Sequence, residues 1–214
     1  MIDRLFYLCQ DPTIWSKCVD IMDKKELLVR TAFKLFYTHG IHAVGVNLVL
    51  AESGIAKRTL YHHFPSKEHL IEAAVRHRDR SYHAWLVSRL DAVPAGKPAL
   101  LELFNALNDW FHSRVPDLDH FNGCFFINAS AEFGDRDNAI HQACAEHKAG
   151  IAALIRKHVD ELSFPDGIIV EITNLVVLLK EGSISLAHVQ GNLDAALEAK
   201  AILESVLQDR IADK

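Results

Sequence analysis

Residues 53–70 read SGIAKRTLYHHFPSKEHL, and the fold is decided there. Gly54 can take the left-handed backbone conformation that ends one helix and turns the chain into the next. Residues 56–64 then place Leu60 and Phe64 on one helical face, leaving Lys57, Arg58, Thr59, Tyr61, His62 and His63 on the others. Pro65 cannot continue the hydrogen-bond ladder, and Ser66 caps the helix that follows, with Lys67 and Glu68 in its first turn. Working backward, residues 46–52 form a small helix with Val49 and Leu50 inward. Two short helices joined by a Gly-containing turn are the helix-turn-helix pattern. Further back, Asp23 and Glu26 have capping-box spacing. Leu28, Ala32 and Phe36 recur on one apolar face, and Gly40 fits a left-handed C-cap. The first helix is therefore expected over Lys24–His39.

Working forward, the period stays helical. Helices are expected over residues 67–91, 98–114, 124–133, 138–162, 167–190 and 193–211, with breaks at 92–96, 116–123, 134–135 and 163–166. Six Pro and ten Gly in 214 residues favour long helices over turn-rich β architecture. Half the chain is apolar and 24% is charged, which allows a real core and excludes disordered and collagen-like classes. The expected class is all-α. An N-terminal three-helix helix-turn-helix domain (22–66) precedes a second, helical bundle (67–214). Residues 1–21 read as an N-terminal extension, with Asp11-Pro12 opening a short helix. Met22 just before the first helix is a candidate natural initiator, which would put 1–21 upstream of the start.

The net charge is −5, which taken whole argues against a general nucleic-acid coat. Split by segment, the sign changes. Residues 22–69 carry seven Lys and Arg against four Asp and Glu, with five histidines besides, while residues 70–214 carry 14 basic against 21 acidic groups. Phosphate attraction depends on the local face. Residues 56–64 therefore read as a recognition helix. In the major groove its N-terminal side chains reach base edges, and Arg58 is the best direct reader because its fork matches guanine O6 and N7. Lys57, Thr59, Tyr61, His62 and Lys67 are expected on phosphates.

This block resembles the tetracycline-repressor (TetR) family of bacterial one-component regulators. The resemblance is carried by Ala32, Phe36 and Gly40 and by Gly54, Thr59, Leu60, Tyr61, Phe64, Lys67 and Leu70 within the quoted run. It covers about residues 24–70. It implies an all-α homodimer whose N-terminal three-helix domain binds a double-stranded DNA operator. It also implies a core that binds a small-molecule effector, with the last two helices forming a four-helix dimer interface. The sequence departs from the family at three places. Arg58 stands where Gly is frequent, which strengthens the base-reading expectation. Gly45 replaces a Thr or Ser cap, so Asn47 is expected to supply polar contacts instead. Leu50 replaces a small Ala. The expected DNA-binding set is Asn47, Ala56, Lys57, Arg58, Thr59, Tyr61, His62 and Lys67.

In the implied core, effector pockets are mostly apolar with a few polar groups. The expected walls are Trp85, Phe104, Trp110, Phe111, Phe125 and Asn128, with Phe121 and Phe126 beside them and His83, His112 and Glu132 as further polar points. Cys124 follows Gly123 at a helix start, where the dipole can lower a thiol pKa, and is a redox candidate. His141, Cys144 and His147 lie three apart on one helix; such spacing supplies two metal ligands well and three poorly. A ligand-released repressor is the leading expectation. A thiol- or metal-responsive regulator is the alternative, and an all-α metal-dependent enzyme is a weaker one. No nucleophile–base pair, Gly-rich phosphate loop or HExxH motif is found, so neither enzymatic activity nor a cofactor is expected. Cys9, Cys18, Cys124 and Cys144 form no CxxC pair and read as reduced cytoplasmic thiols. The apolar run 167–179 contains Glu171, Thr173 and Asn174, is too short to span a bilayer, and reads as a buried helix. Its many apolar sides call for cover from a partner subunit, supplied by Ala195, Ala196, Ala199, Ile202, Leu203 and Val206 of the last helix.

Overall fold

The computed structural model describes residues 23–212. The expectations for residues 1–21, Met22, Cys9 and Cys18 lie outside that range. Nine α-helices and no strand occur among the described residues. They are α1 (Lys24–His39), α2 (Val46–Ser53), α3 (Lys57–His63), α4 (Lys67–Leu90), α5 (Lys97–Phe111), α6 (Phe125–Glu132), α7 (Ala139–Asp160), α8 (Asp166–Gln190) and α9 (Ala195–Ala212). A single 3-10 turn, Pro116–Leu118, interrupts the segment expected to be loop. The all-α class is as the sequence reads.

Compactness divides the chain into two units, at different points from the sequence boundary after residue 66, which is drawn on function. The first unit holds residues 23–79 and Phe125–Cys144; the second holds Arg80–Cys124 and residues 145–212. Both α4 and α7 are continuous across a division.

The first unit is built on α1. Asp23 starts it by accepting a hydrogen bond from the Lys25 N–H at 3.1 Å, satisfying an orphan donor of the first turn. The Glu26 carboxylate, in the same first turn, lies 3.3 Å from His77 Nδ1. Leu28, Ala32 and Phe36 are buried on the expected face. Phe33 extends that core, with Phe125 of α6 edge-on at 5.2 Å. The Arg78 guanidinium is buried 5.3 Å from both the Phe33 and Tyr37 rings, a cation–π arrangement that lowers the cost of taking the charge from water.

Gly40 ends α1 but not in the left-handed helical conformation. Its φ of 85° comes with ψ of 151°, a region open essentially to glycine alone. The cause lies on α6. Glu132 accepts the Ile41 N–H at 2.8 Å and the His42 N–H at 2.6 Å, and also lies 2.6 Å from His42 Nδ1. The extended Gly40 lets both amides face that one carboxylate. Burial pushes the Glu132 carboxyl upward, but the two backbone N–H groups and His42 more than offset it and hold it below the ordinary carboxylate range.

The second unit packs α5, α8 and α9 on one another. Arg89 bridges Glu102 at 2.6 Å and Asp109 at 2.8 Å, tying α4 to α5. Lys200 donates to the Asn105 side-chain oxygen at 2.9 Å, tying α9 to α5. Within this unit Ala195, Ala196, Ala199 and Leu203 are buried against the chain itself. That corrects their expected place on a subunit-facing surface. The exposed apolar residues of α9 are Leu197 and Ile202, with Leu193 just ahead of the helix. The run 167–179 is not wrapped on all sides either: Val170 and Leu178 are exposed, Leu178 at 69%, as are Leu186 and Val189 further along α8, Val189 at 76%. No helix among the described residues is long and apolar enough to cross a membrane.

Candidate nucleic-acid interface

Val46–Ser53 and Lys57–His63 are the two short helices expected of a helix-turn-helix, and Gly54 joins them in the left-handed conformation, φ 67° and ψ 11°. A residue with a Cβ would be strained there. The turn is tightened by Ser53, whose hydroxyl accepts the Ile55 N–H at 3.3 Å. Gly45 gives α2 no side-chain cap, as its lack of a side chain requires. Val49 is buried, but Leu50 is only half-buried.

On α3 the division between anchor and surface follows the sequence. Leu60 is buried within the helix, and Phe64 just after it. Ala56, Lys57, Arg58 and His62 are exposed, Tyr61 is 45% exposed, and Thr59 is half-buried. The Lys57 ammonium lies 6.0 Å from the Tyr61 ring centroid, which aligns two of the expected contacts along one side of the helix. Among the described residues no carboxylate is bonded to Lys57 or Arg58. Asn47 is exposed on α2. These residues form one polar, cationic surface over an apolar anchor, which is the arrangement a groove-reading helix needs.

Lys67 stands apart from that set. Its ammonium donates to the Ile41 carbonyl at 2.9 Å and lies 6.0 Å from the Phe36 ring. The 41–42 backbone is thus held from two directions, by Glu132 at its amides and by Lys67 at a carbonyl. Sequence reasoning missed Glu132 in this role. Its partners are 90 and 91 residues away, so no local spacing could have revealed them.

The expected pocket residues fall in both units. Trp85, Phe104, Trp110 and Phe111 belong to the second, where Trp110 and Phe111 also meet Phe121 at 4.9 and 4.8 Å. Phe125 and Asn128 belong to the first, and Phe125 packs on Phe33 and Tyr37. His83 is exposed, His112 is 2.9 Å from the Asn108 carbonyl, and Glu132 is spent on the 41–42 loop. Sequence reasoning also missed the centre of the second unit. Tyr82 of α4 meets Trp85, Trp110 and His147 at 5.2, 5.4 and 5.4 Å. The Lys180 ammonium lies 5.9 Å from the Tyr82 ring.

Cys124 is buried just ahead of α6, its sulfur accepting from Lys148 Nζ at 3.4 Å. The metal alternative receives no support. His141 Nδ1 lies 2.8 Å from the Phe133 carbonyl, His147 meets the Tyr82 ring edge-on, and among the described residues no group of three His, Cys, Asp or Glu is placed to hold a metal ion.

Comparison with known proteins agrees with this geometry. The family of bacterial regulatory proteins, tetR family, matches residues 28–74. The HTH-type transcriptional regulator YxaF of Bacillus subtilis is 46% identical over 54 residues, which is 25% of this chain and only 28% of that protein. The HTH-type transcriptional regulator LmrA of the same organism is 23% identical over 87% of this chain and 97% of its own length. The crystal structure of SCO4454, a TetR-family transcriptional regulator from Streptomyces coelicolor, is 27% identical and covers 87% of this chain and 95% of its own, with a TM-score of 0.76. The helix-turn-helix signature in the first unit is that of the tetR family, and the fold over most of the chain is shared with a TetR-family transcriptional regulator, which together support a DNA-binding transcriptional regulator of that kind.

Proposed function

We propose that this regulator is a homodimeric repressor released from its operator by a small molecule bound in the second unit. The observation that carries the DNA half is the exposed Lys57–Arg58–Tyr61–His62 surface of α3 above the buried Leu60. Arg58 reads a guanine edge, and Ala56, Lys57, Thr59, Tyr61, His62 and Asn47 position the helix on sugar and phosphate. Lys67 acts mainly by holding the 41–42 loop. The protein works by binding rather than by catalysis.

A dimer is supported by the exposed apolar ridge of α8. Val170, Asn174, Leu178, Gly182 and Leu186 recur every four residues along it, followed by Val189. A Cβ added at Gly182 would meet nothing within 4 Å in its own chain. A mid-helix glycine costs roughly 1 kcal/mol relative to Ala, and close approach of a second α8 gives it a purpose. With Leu193, Leu197 and Ile202 beside it, this ridge forms the partner-facing surface of a four-helix interface.

The effector half is supported by the aromatic cluster around Tyr82. α4 carries Lys67 at its first turn and Tyr82 and Trp85 further along the same helix. A ligand among the aromatic side chains that favours one position of α4 therefore alters DNA affinity by its differential affinity for the two states. The test is selection of bound duplexes from a random pool, followed by a screen for compounds that dissociate the selected complex. Recovery of a palindromic site with two half-sites is expected. Failure to enrich any sequence over competitor DNA would overturn the reading.

A further inference from the structure

Lys180 is 1% exposed in the middle of α8. Its ammonium donates to Glu181 Oε1 at 2.8 Å. The other Glu181 oxygen accepts from Lys148 Nζ of α7 at 2.6 Å. Among the described residues Glu181 is the one carboxylate bonded to either ammonium. Burial pushes the Glu181 carboxyl upward, yet Lys180 and Lys148 outweigh it and bring it down to about 2. The cluster therefore holds two positive charges against one negative charge.

That imbalance needs an account. A buried ion pair roughly breaks even against desolvation only when charges match and the remaining donors are satisfied. Here Lys180 alone is fully buried, Lys148 and Glu181 being 30% and 28% exposed, so the charge taken out of water is the Lys180 ammonium's. The surroundings are aromatic. The Tyr82 ring faces the Lys180 ammonium, and Trp85, Trp110 and His147 pack around Tyr82. An aromatic face eases a cation but supplies neither a full negative charge nor a lone pair aimed at an N–H. An acceptor carrying one negative charge, attached to something flat and apolar, would complement both the ammonium and the rings.

We propose that the effector received by the Tyr82–Trp110–Lys180 cluster is an organic monoanion, an apolar body bearing a single carboxylate that Lys180 and Lys148 hold. This rests on the reading that the second unit binds an effector and adds its chemical class. The carboxylate competes with Glu181 for the two ammoniums. The apolar body lies against the aromatic side chains.

The experiment uses the full chain without DNA and three pairs of probes: benzoate, 1-naphthoate and dodecanoate, each against its own primary amide. Binding is read by calorimetry and by the rise in melting temperature. At least one acid is expected to bind about tenfold or more tightly than its amide. Lys148→Met and Lys180→Met should abolish that preference, and the half-exposed Lys148 variant keeps the test available where the Lys180 variant fails to fold. Glu181→Gln should move affinity the other way, tightening acid binding, because it removes the competing carboxylate. A merely structural ion-pair cluster would not produce opposite signs. The proposal is overturned if no acid outbinds its amide, or if Lys148→Met leaves the preference intact. Operator release is measured separately. An acid that binds without releasing DNA overturns the release mechanism and leaves this proposal standing. A neutral compound that releases DNA, with no acid preferred, does the reverse.

Discussion

Lys57 and Arg58 on α3 stand in solvent with no carboxylate bonded to them among the described residues, whereas Lys180 on α8 is buried and shares Glu181 with Lys148. The same residue chemistry is used for opposite ends. An exposed cation is almost free of desolvation cost and contributes to a field that reaches about a Debye length, so it acts on a polyanion before contact and fades with salt. A buried cation is costly to place, acts over contact distance, and is little screened. The first suits a surface that must find DNA among many sites. The second suits the contact-range recognition proposed for the second unit.

The largest effect that tests this contrast is expected in the second unit. Trp110 is buried against Tyr82, Phe111 and Phe121, and Trp110→Ala should destabilise the protein by about 3–5 kcal/mol in denaturant unfolding. A loss below about 1 kcal/mol would mean that the aromatic side chains around Tyr82 are loosely packed. Next comes Arg58→Ala, which should weaken binding to the selected operator by about 1–3 kcal/mol and relax choice at one base pair. Its melting temperature should stay at the wild-type value, since Arg58 is exposed and pairs with nothing inside. Equal losses on specific and random DNA would place Arg58 on phosphate instead.

A finer comparison sets Lys57 beside Lys67. Lys57→Ala should reduce the slope of log affinity against log salt by about one unit, the mark of a released counterion. Lys67→Ala should weaken binding while leaving that slope nearly unchanged, because its ammonium is held on the Ile41 carbonyl. Glu132→Ala, which frees the other side of the same loop, should behave like Lys67→Ala. Its loss of two backbone hydrogen bonds is worth about 1 kcal/mol or somewhat more. If the Lys67 variant flattens the slope as Lys57 does, both are phosphate contacts and the loop-holding role falls.

These pairs also mark how far the sequence could be read. The helices were legible because their signals are local: Asp23 and Gly40 bound α1 at Lys24–His39, and Gly54 and Pro65 frame α3. The surface of α3 was legible for the same reason, since Leu60 and Phe64 settle which face turns inward. The 41–42 loop was not, because Glu132 is some ninety residues away and looked like one more polar residue on a short helix. Lys180 and Glu181 were visible as charges in an apolar helix. Only packing against Tyr82 and Lys148 distinguishes a charged interior from a charged surface. The outer face of α9 was misplaced because the alanines at 195, 196 and 199 fit either a subunit contact or a close helix crossing. The chain uses them for the crossing and leaves Leu197 and Ile202 outward.

His158 extends the contrast to a third treatment of charge, a base kept neutral. It is buried near the end of α7, and both ring nitrogens lack a hydrogen-bond partner among the described residues. Burial lowers its pKa below the ordinary 6.5, with neighbouring Lys157 adding to the effect and Asp91 and Glu161 opposing it less strongly. The folded state therefore binds a proton less readily than the unfolded chain. The stability this contributes is fully present above about pH 6.5 and is lost as pH falls through that value toward the folded pKa. Denaturant unfolding should accordingly show stability declining as pH drops from about 7.5 to about 5.5, and His158→Phe should flatten that decline. This is the smallest of the expected effects, and also the most selective. Arg58 and Lys57 variants should keep the wild-type pH profile, because neither is among the charges that act on His158. If His158→Phe leaves the slope unchanged, the burial seen at the end of α7 does not exclude water from the ring, and the second unit is less closed there than around Lys180.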